Sequence, residues 1–333
     1  MSGTHTEPAS RVVVTGGSGF LGSHLVERLV ARGDRVTVVD AVPPPAHAIA
    51  RKHAEFIAAD VRDAVALAAA IGRDVDTVYH LAAVVGVDTY LARPADVITT
   101  NFTGTRSVLE AVNRASARLV LASTSEVFGK NPEVPWREDA DRVLGPTSAA
   151  RWSYSTSKAL SEHLALAYAE QYGLPVTIVR YFNAYGPGQR PAYVVSRSVH
   201  RALNGRPPVV YDDGRQTRCF TYVDDVVDGT MRAADSVKAI GESFNLGTMV
   251  ESTVGELAAL VCELTGLPAP TTVDTGRLGS AYQDIPRRVP DNTKAADLLG
   301  WVPRTDLRTG LAATVAWARE HPEWLALPES GVS

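Results

Sequence analysis

The sequence predicts an α/β protein built on a doubly wound parallel sheet, with a smaller lobe formed by the C-terminal part. Three observations predict it. Short β-branched runs alternate with helical patterns from residue 11 to about residue 182, the signature of strands joined by crossover helices. A Gly-rich turn links the first strand to the first helix, as in Rossmann-type sheets. Past residue 182 the alternation breaks into shorter pieces rich in Pro and Gly.

The elements follow in order. Residues 11–15 (R-V-V-V-T) read as a short buried strand, and Leu21, Leu25, Leu29 and Val30 as the apolar side of a helix that stops at Gly33-Asp34. Residues 35–40 (R-V-T-V-V-D) form a second strand, and Pro43, Pro44 and Pro45 then demand a loop. Strands are expected at 53–59, 77–81, 118–123 and 176–181, and helices at 65–71, 95–113 and 154–172. Residues 243–246 read as a strand returning to the sheet. Leu109, Val112, Leu160, Leu164 and Tyr168 recur at helical spacing and are expected in the core, with Met231 and Trp301. The tail after Trp324 is expected to fray.

Composition narrows the function. Of 333 residues 45% are hydrophobic and 21% charged, an ordinary globular balance. Lys plus Arg number 33 against 37 Asp plus Glu, and no basic stripe stands out, which argues against a nucleic-acid partner. The two cysteines, Cys219 and Cys262, lack metal-ligand spacing, so neither a disulfide framework nor a metal site is expected. There is no long apolar run and no apolar stretch at the start, so the expectation is a soluble cytoplasmic protein with no membrane contact.

Residues 15–22 read T-G-G-S-G-F-L-G, with Gly17, Gly19 and Gly22 in G-x-G-x-x-G spacing and Gly16 as a further glycine. Glycines let backbone N–H groups approach a pyrophosphate, and the following helix points its positive end at the same charge. Asp40 closes the next strand 18 residues after Gly22, where a carboxylate accepts hydrogen bonds from ribose hydroxyls. It repels a 2′-phosphate and no Arg follows it directly, which favours NAD over NADP. Asp60 and Val61 follow the third strand and are expected at the adenine.

Tyr154 and Lys158 stand at i, i+4 near the start of a helix, on one face. An ammonium beside a phenol lowers the phenol pKa and makes Tyr154 a general base for a hydroxyl. Thr124, Ser125 and Glu126 follow a strand, at the sheet edge where ligands bind in this architecture. Thr124 suits a hydrogen bond to the hydroxyl that Tyr154 deprotonates, and Glu126 is a second candidate acid or base.

As a set, T-G-G-S-G-F-L-G, H-L-A-A (80–83), S-T-S-E-V-F-G (123–129), Y-x-x-x-K, R-Y-F-N-A-Y-G-P-G (180–188) and Q-T-R-C-F-T-Y-V-D-D (216–225) resemble the extended short-chain dehydrogenase/reductases, in the branch of nucleotide-sugar epimerases, dehydratases and decarboxylases. The resemblance spans about residues 11–320. It implies bound NAD, touched by Gly16, Gly19, Phe20, Leu21, Gly22, Asp40, Asp60, Val61, Leu81, Ala82, Ala83 and Lys158. It implies residues 1–182 as the NAD-binding domain, with a return segment at 222–246. Residues 183–221 and 247–325 then form the nucleotide-sugar lobe, where Tyr90, Asn183, Arg190, Arg218 and Arg288 bind a UDP-linked substrate. A homodimer through the two long helices is implied as well.

The branch is read from smaller differences. A 4,6-dehydratase carries Thr-Asp-Glu where this chain has Thr124-Ser125-Glu126, and the missing Asp removes the acid that protonates the leaving hydroxyl. Thr-Ser-Glu, R-W-S-Y-S-T-S-K (151–158) and Y-Q-D-I-P-R-R-V-P (282–290) resemble the UDP-glucuronate decarboxylases, with Arg288 as the guanidinium that serves the uronate. That resemblance implies transient oxidation at sugar carbon 4, loss of carbon dioxide, and reprotonation of carbon 5 helped by Glu126 or Ser125, giving UDP-xylose. A UDP-sugar 4-epimerase acting on UDP-glucose or UDP-glucuronate would need the same Thr124, Tyr154 and Lys158. A non-catalytic dinucleotide sensor is the distant alternative, and such relatives lose the Tyr or the Lys.

Overall fold

A computed structural model describes residues 9–45, 48–274 and 285–329. Seven strands form the central sheet: β1 (Arg11–Thr15), β2 (Arg35–Asp40), β3 (Glu55–Ala58), β4 (Thr77–His80), β5 (Arg118–Thr124), β6 (Val176–Tyr181) and β7 (Ser243–Leu246). Their order across the sheet is β7-β6-β5-β4-β1-β2-β3, and every ladder is parallel. The inner strands are buried on both faces: Val12, Val13 and Val14 of β1 and Leu119, Val120 and Leu121 of β5 are all at most 2% exposed. A parallel sheet covered on both sides needs such continuous apolar runs rather than alternation, which is why these strands were legible as V-V-V and L-V-L. The chain reverses its winding at β1, which lies between β2 and β4. That reversal opens a crevice at the carboxyl ends of β1 and β4, where ligands bind in such sheets.

Each face has its own core. On one side the helix Phe20–Arg32 packs with the helix Val223–Asp235 through Leu25, Leu29, Val223 and Val227. The first of these ends at Gly33 (φ 98°), whose amide donates to the Leu29 and Val30 carbonyls, a left-handed cap that only glycine takes without strain. On the other side the helices Pro94–Ala115 and Ser153–Tyr172 lie together over Leu109, Val112 and Ala165. Leu109 and Val112 are buried and Leu164 and Tyr168 pack partly on this core. Leu160 is not in it: the side chain is 46% exposed, because helical spacing sets a face but not what covers it.

A third core, away from the sheet, joins the helices Val194–Leu203, Val254–Thr265 and Leu307–Arg319 through Val199, Leu257 and Leu311. The sequence assigned all of 247–325 to the lobe, but the helix Thr293–Leu299 and Trp301 pack on the sheet core beside Val227 and Phe244. Trp301 Nε1 donates to the Asp225 carbonyl at 2.9 Å, which fastens this segment to the sheet. Nor is the chain loose immediately after Trp324: Glu329 pairs with Arg201 and Arg206. Among the described residues no helix is long and apolar enough to cross a membrane.

Trp301 is 1% exposed and both fills and fastens this core. Trp301→Ala is expected to destabilise the protein by about 3–5 kcal/mol in urea unfolding.

Candidate active site

The crevice is lined first by the glycine turn. Gly16 lies at φ 75° and its amide donates to the Val39 carbonyl at 2.9 Å, pressing the turn onto β2. A Cβ on Gly16 would stand 2.5 Å from the Ala82 amide nitrogen, and one on Gly22 would collide with the Gly16 carbonyl oxygen. The glycines thus let turn, helix and the loop after β4 meet at backbone distance. Gly19 caps the helix with no side-chain bond to its first-turn amides, and the buried Ser18 hydroxyl has no partner among the described residues. Phe20 and Leu21 open the helix, packed partly on the sheet core. Asp40 accepts from the Ser18 amide at 3.0 Å and the Val42 amide at 3.1 Å, which holds its carboxylate beside the turn. Amide donors, an orphaned hydroxyl and this carboxylate fit the pyrophosphate and ribose of a dinucleotide.

Asp60, expected at the adenine, lies just past β3 and has a neighbour of its own. Both its oxygens are held by the Arg62 guanidinium, at 2.8 and 2.6 Å, and that pairing lowers the Asp60 pKa. Val61 is buried against Gly104 of the helix Pro94–Ala115, where a Cβ would stand 2.5 Å from Val61 Cγ1.

The loop after β4, with Leu81, Ala82 and Ala83, is fixed by a buried relay that sequence reasoning missed. The Thr105 hydroxyl donates to the Asn101 carbonyl at 2.8 Å, so it accepts from His80 Nε2 at 3.1 Å. His80 Nδ1 then accepts from the Thr15 hydroxyl at 2.7 Å. Burial, with Lys158 nearby, pushes the His80 pKa down to about 3, so the ring stays neutral. Asn101 accepts from the Val84 amide at 2.8 Å, donates to the Val84 carbonyl at 3.1 Å and reaches Ser157 Oγ at 3.2 Å. One side chain therefore couples this loop to the Tyr154 helix.

Tyr154 and Lys158 are both buried on the helix Ser153–Tyr172. Burial pushes the Lys158 ammonium down to about 8, against the pull of Glu162 one turn on. Glu162 accepts from Ser123 and is forked by Arg180 at 3.0 and 2.7 Å. Thr124 ends β5 and its hydroxyl accepts from the Glu126 amide at 3.2 Å. Ser125 is buried in the turn that follows. Glu126 lies between two guanidiniums: Arg151 Nη1 donates to Oε2 at 2.6 Å and Arg288 Nη1 to Oε1 at 2.5 Å. Burial raises the Glu126 pKa, but Arg288 and Arg151 outweigh it and hold the carboxyl down at about 2. Arg288 is itself buried, and its Nε has no partner among the described residues. Arg287 points its charge elsewhere, onto Glu251 at 3.0 Å, and is more than half exposed.

Asn183 and Arg218 line a cleft in the lobe, together with Arg197, Arg201, Tyr211 and Gln216. Asn183 sits at φ 40°, a conformation uncommon outside glycine and found at functional turns. Arg218 donates to the Thr217 carbonyl at 2.7 Å. Arg201 is held by the Pro207 carbonyl at 2.8 Å and Glu329 at 2.6 Å. Arg190 is exposed and does not line this cleft. The Tyr90 side chain and residues Tyr282, Gln283 and Asp284 lie outside the described residues. Arg197, Arg201 and Asn101 were not singled out from sequence, because each acts through partners far along the chain.

Lys158 is a buried cation whose folded pKa lies below its ordinary 10.5, so its burial costs stability below pH 8 and the cost fades as pH rises toward 10.5. Lys158→Met is therefore expected to raise stability near pH 7 by up to about 3 kcal/mol. Thermal unfolding from pH 7 to 10 checks this: the gain should shrink with pH while turnover is lost throughout. Gly22→Ala is expected to weaken NAD binding at least about tenfold by forcing the turn open, read by calorimetry.

Known proteins carry the same architecture. The chain is 41% identical over 323 residues to a UDP-N-acetyl-alpha-D-glucosaminuronate decarboxylase of Bacillus cytotoxicus, covering 93% of this chain and 98% of that one. It is 39% identical to UDP-glucuronic acid decarboxylase 2 of Arabidopsis thaliana, over 93% of this chain and 68% of the other. The structure of MoeE5 in complex with UDP-glucuronic acid and NAD superposes with a TM-score of 0.83 at 35% identity, covering 93% of this chain and 99% of that one. The UDP-glucuronic acid 4-epimerase of Bacillus cereus, also in complex with UDP-glucuronic acid and NAD, gives 0.81 at 29%, over 93% and 99%. The family model described as the NAD dependent epimerase/dehydratase family matches residues 12–247. With its glycine turn, Asp40 and the Tyr154–Lys158 pair, the chain belongs to that NAD-dependent family.

Proposed function

We propose that the chain decarboxylates a UDP-linked uronate, converting UDP-glucuronate to UDP-xylose. The observation that carries this reading is Arg288: a buried guanidinium, tied by one Nη to Glu126 just past the end of β5, with an Nε that has no partner among the described residues. A guanidinium fork suits a carboxylate, whereas a neutral hexose offers it only an uncharged hydroxyl oxygen. The decarboxylases among the relatives support the same reading.

NAD at the glycine turn supplies the hydride acceptor at sugar carbon 4 and later the donor. Tyr154, assisted by the Lys158 charge, takes the proton from the 4-hydroxyl while Thr124 hydrogen-bonds that oxygen. The resulting 4-keto uronate is a β-keto acid. Its C5–carboxyl bond breaks, the electron pair enters an enolate, and carbon dioxide leaves. The help expected from Glu126 or Ser125 in reprotonating carbon 5 takes a definite form for Glu126: with a pKa of about 2 it is a carboxylate near neutrality and acts by orienting rather than as the source of the proton. In this reading Glu126 orients Arg288 and a water, and the proton reaches carbon 5 from that water or through Ser125. Tyr154 returns its proton to the 4-oxygen as hydride comes back.

In the same proposal, residues 1–182 with the return segment 222–246 bind NAD. The cleft of Asn183, Arg197, Arg201 and Arg218 takes the UDP. We also propose a cytoplasmic homodimer. Ile98 and Leu160, each more than a third exposed on two adjacent helices, support the dimer, and two buried free cysteines suit a reducing compartment.

The test is a single incubation with UDP-glucuronate and NAD, followed by NMR of the sugar and trapping of carbon dioxide. UDP-xylose with one equivalent of carbon dioxide is expected, and Arg288→Ala should lower kcat/KM at least about a hundredfold. UDP-galacturonate without carbon dioxide would replace this reading with 4-epimerisation. UDP-N-acetylglucosaminuronate, run in parallel, reads the tolerance at carbon 2.

A further inference from the structure

The start of the Tyr154 helix is fastened to the end of β5 through one residue. The Glu126 carbonyl accepts from Ser155 Oγ at 2.6 Å, and Glu126 Oε2 accepts from Arg151 Nη1 at 2.6 Å. Arg151 and Ser155 stand on either side of Tyr154 in the chain. Arg151 is buried at 5% exposure, with its guanidinium 5.1 Å from the Trp152 ring centre. From 162 residues further along, Arg288 takes the other carboxylate oxygen. Among the described residues the charged groups that face Glu126 are these two: Arg151 from the turn before the helix and Arg288 from the C-terminal segment. A carboxylate held at one oxygen swings about its last bond, whereas one held at both has a fixed plane.

We infer that Arg151 is a positioning residue for the reaction: by holding Glu126 Oε2 it fixes the carboxylate plane, and through Oε1 the guanidinium of Arg288. The part of this that concerns the substrate carboxylate rests on the decarboxylase reading; the part that concerns Glu126 does not. Without Arg151, Glu126 keeps its burial and loses one of its two cations, so it takes up a proton at higher pH. A protonated Glu126 loses the charge that orders Arg288, and the grip on a uronate loosens.

The test compares wild type with Arg151→Met and Arg151→Lys. In Arg151→Met the acid limb of kcat/KM should move up by at least about one pH unit. KM for UDP-glucuronate should rise about tenfold or more, with affinity for NAD and for UDP unchanged. Arg151→Lys restores a charge without the fork and should recover part of the acid limb. A loss that is uniform with pH at unchanged KM would overturn the inference. Carbon-13 NMR of glutamate-labelled protein, with Glu126 assigned by Glu126→Gln, separates the two readings. Its carboxyl should titrate at higher pH in Arg151→Met with no substrate present, and an unmoved titration overturns the Arg151 inference. A wild type that acts on no uronate while Glu126 still shifts overturns the decarboxylase reading alone. If Arg151→Met fails to fold, Arg151→Lys carries the same titration, with a smaller displacement expected and none overturning it.

Discussion

Burying a carboxylate costs several kcal/mol unless cations and hydrogen bonds replace its water, and Glu126 meets that requirement with guanidiniums from two distant parts of the chain. Arg151 comes from the turn that opens the Tyr154 helix. Arg288 comes from a segment whose backbone is stitched to Trp136 through the Val289 carbonyl at 2.8 Å. The end of β5, the start of the catalytic helix and the C-terminal segment therefore meet on one residue. Removing either arginine leaves a buried charge short of a partner, so the arrangement is held as a unit. The same neighbours keep Glu126 ionised, as the orienting role proposed for it requires.

The sheet supplies the other constraint. Parallel strands put all their carboxyl ends on one edge, so the glycine turn after β1, Asp40 at the end of β2, His80 at the end of β4 and Thr124 at the end of β5 share that edge. The His80–Thr105–Asn101 relay then locks the loop between the cofactor side and the Tyr154 helix with a ring that does not titrate near neutrality. Lys158 is the exception to this economy of charge: an ammonium kept buried against its own solvation, the kind of perturbed group that clusters at functional sites.

Much of this was legible in the sequence where the signal is local. The V-V-V and L-V-L runs gave the buried parallel strands, the glycines marked the cofactor turn, and the four-residue spacing paired Tyr154 with Lys158. What was not legible depends on contacts between distant residues. Nothing near Glu126 in sequence announces that Arg288, 162 residues on, will hold its carboxylate; resemblance suggested Arg288 only as a group serving the uronate. That Arg62, two residues on, would take both Asp60 oxygens was not read from the sequence either. Leu160 shares the helical period of a core residue yet faces out. Arg201 owes its position to Glu329, in a tail expected to fray.

The central claim is that the Glu126–Arg288 site reads a carboxylate. Calorimetry on a Tyr154→Phe holoprotein, which binds but does not turn over, measures this most directly with UDP-glucuronate and UDP-glucose side by side. The account predicts that the uronate binds at least about tenfold tighter and that Arg288→Met abolishes the difference. Equal affinity for the two sugars, or a preference that survives loss of Arg288, would contradict it.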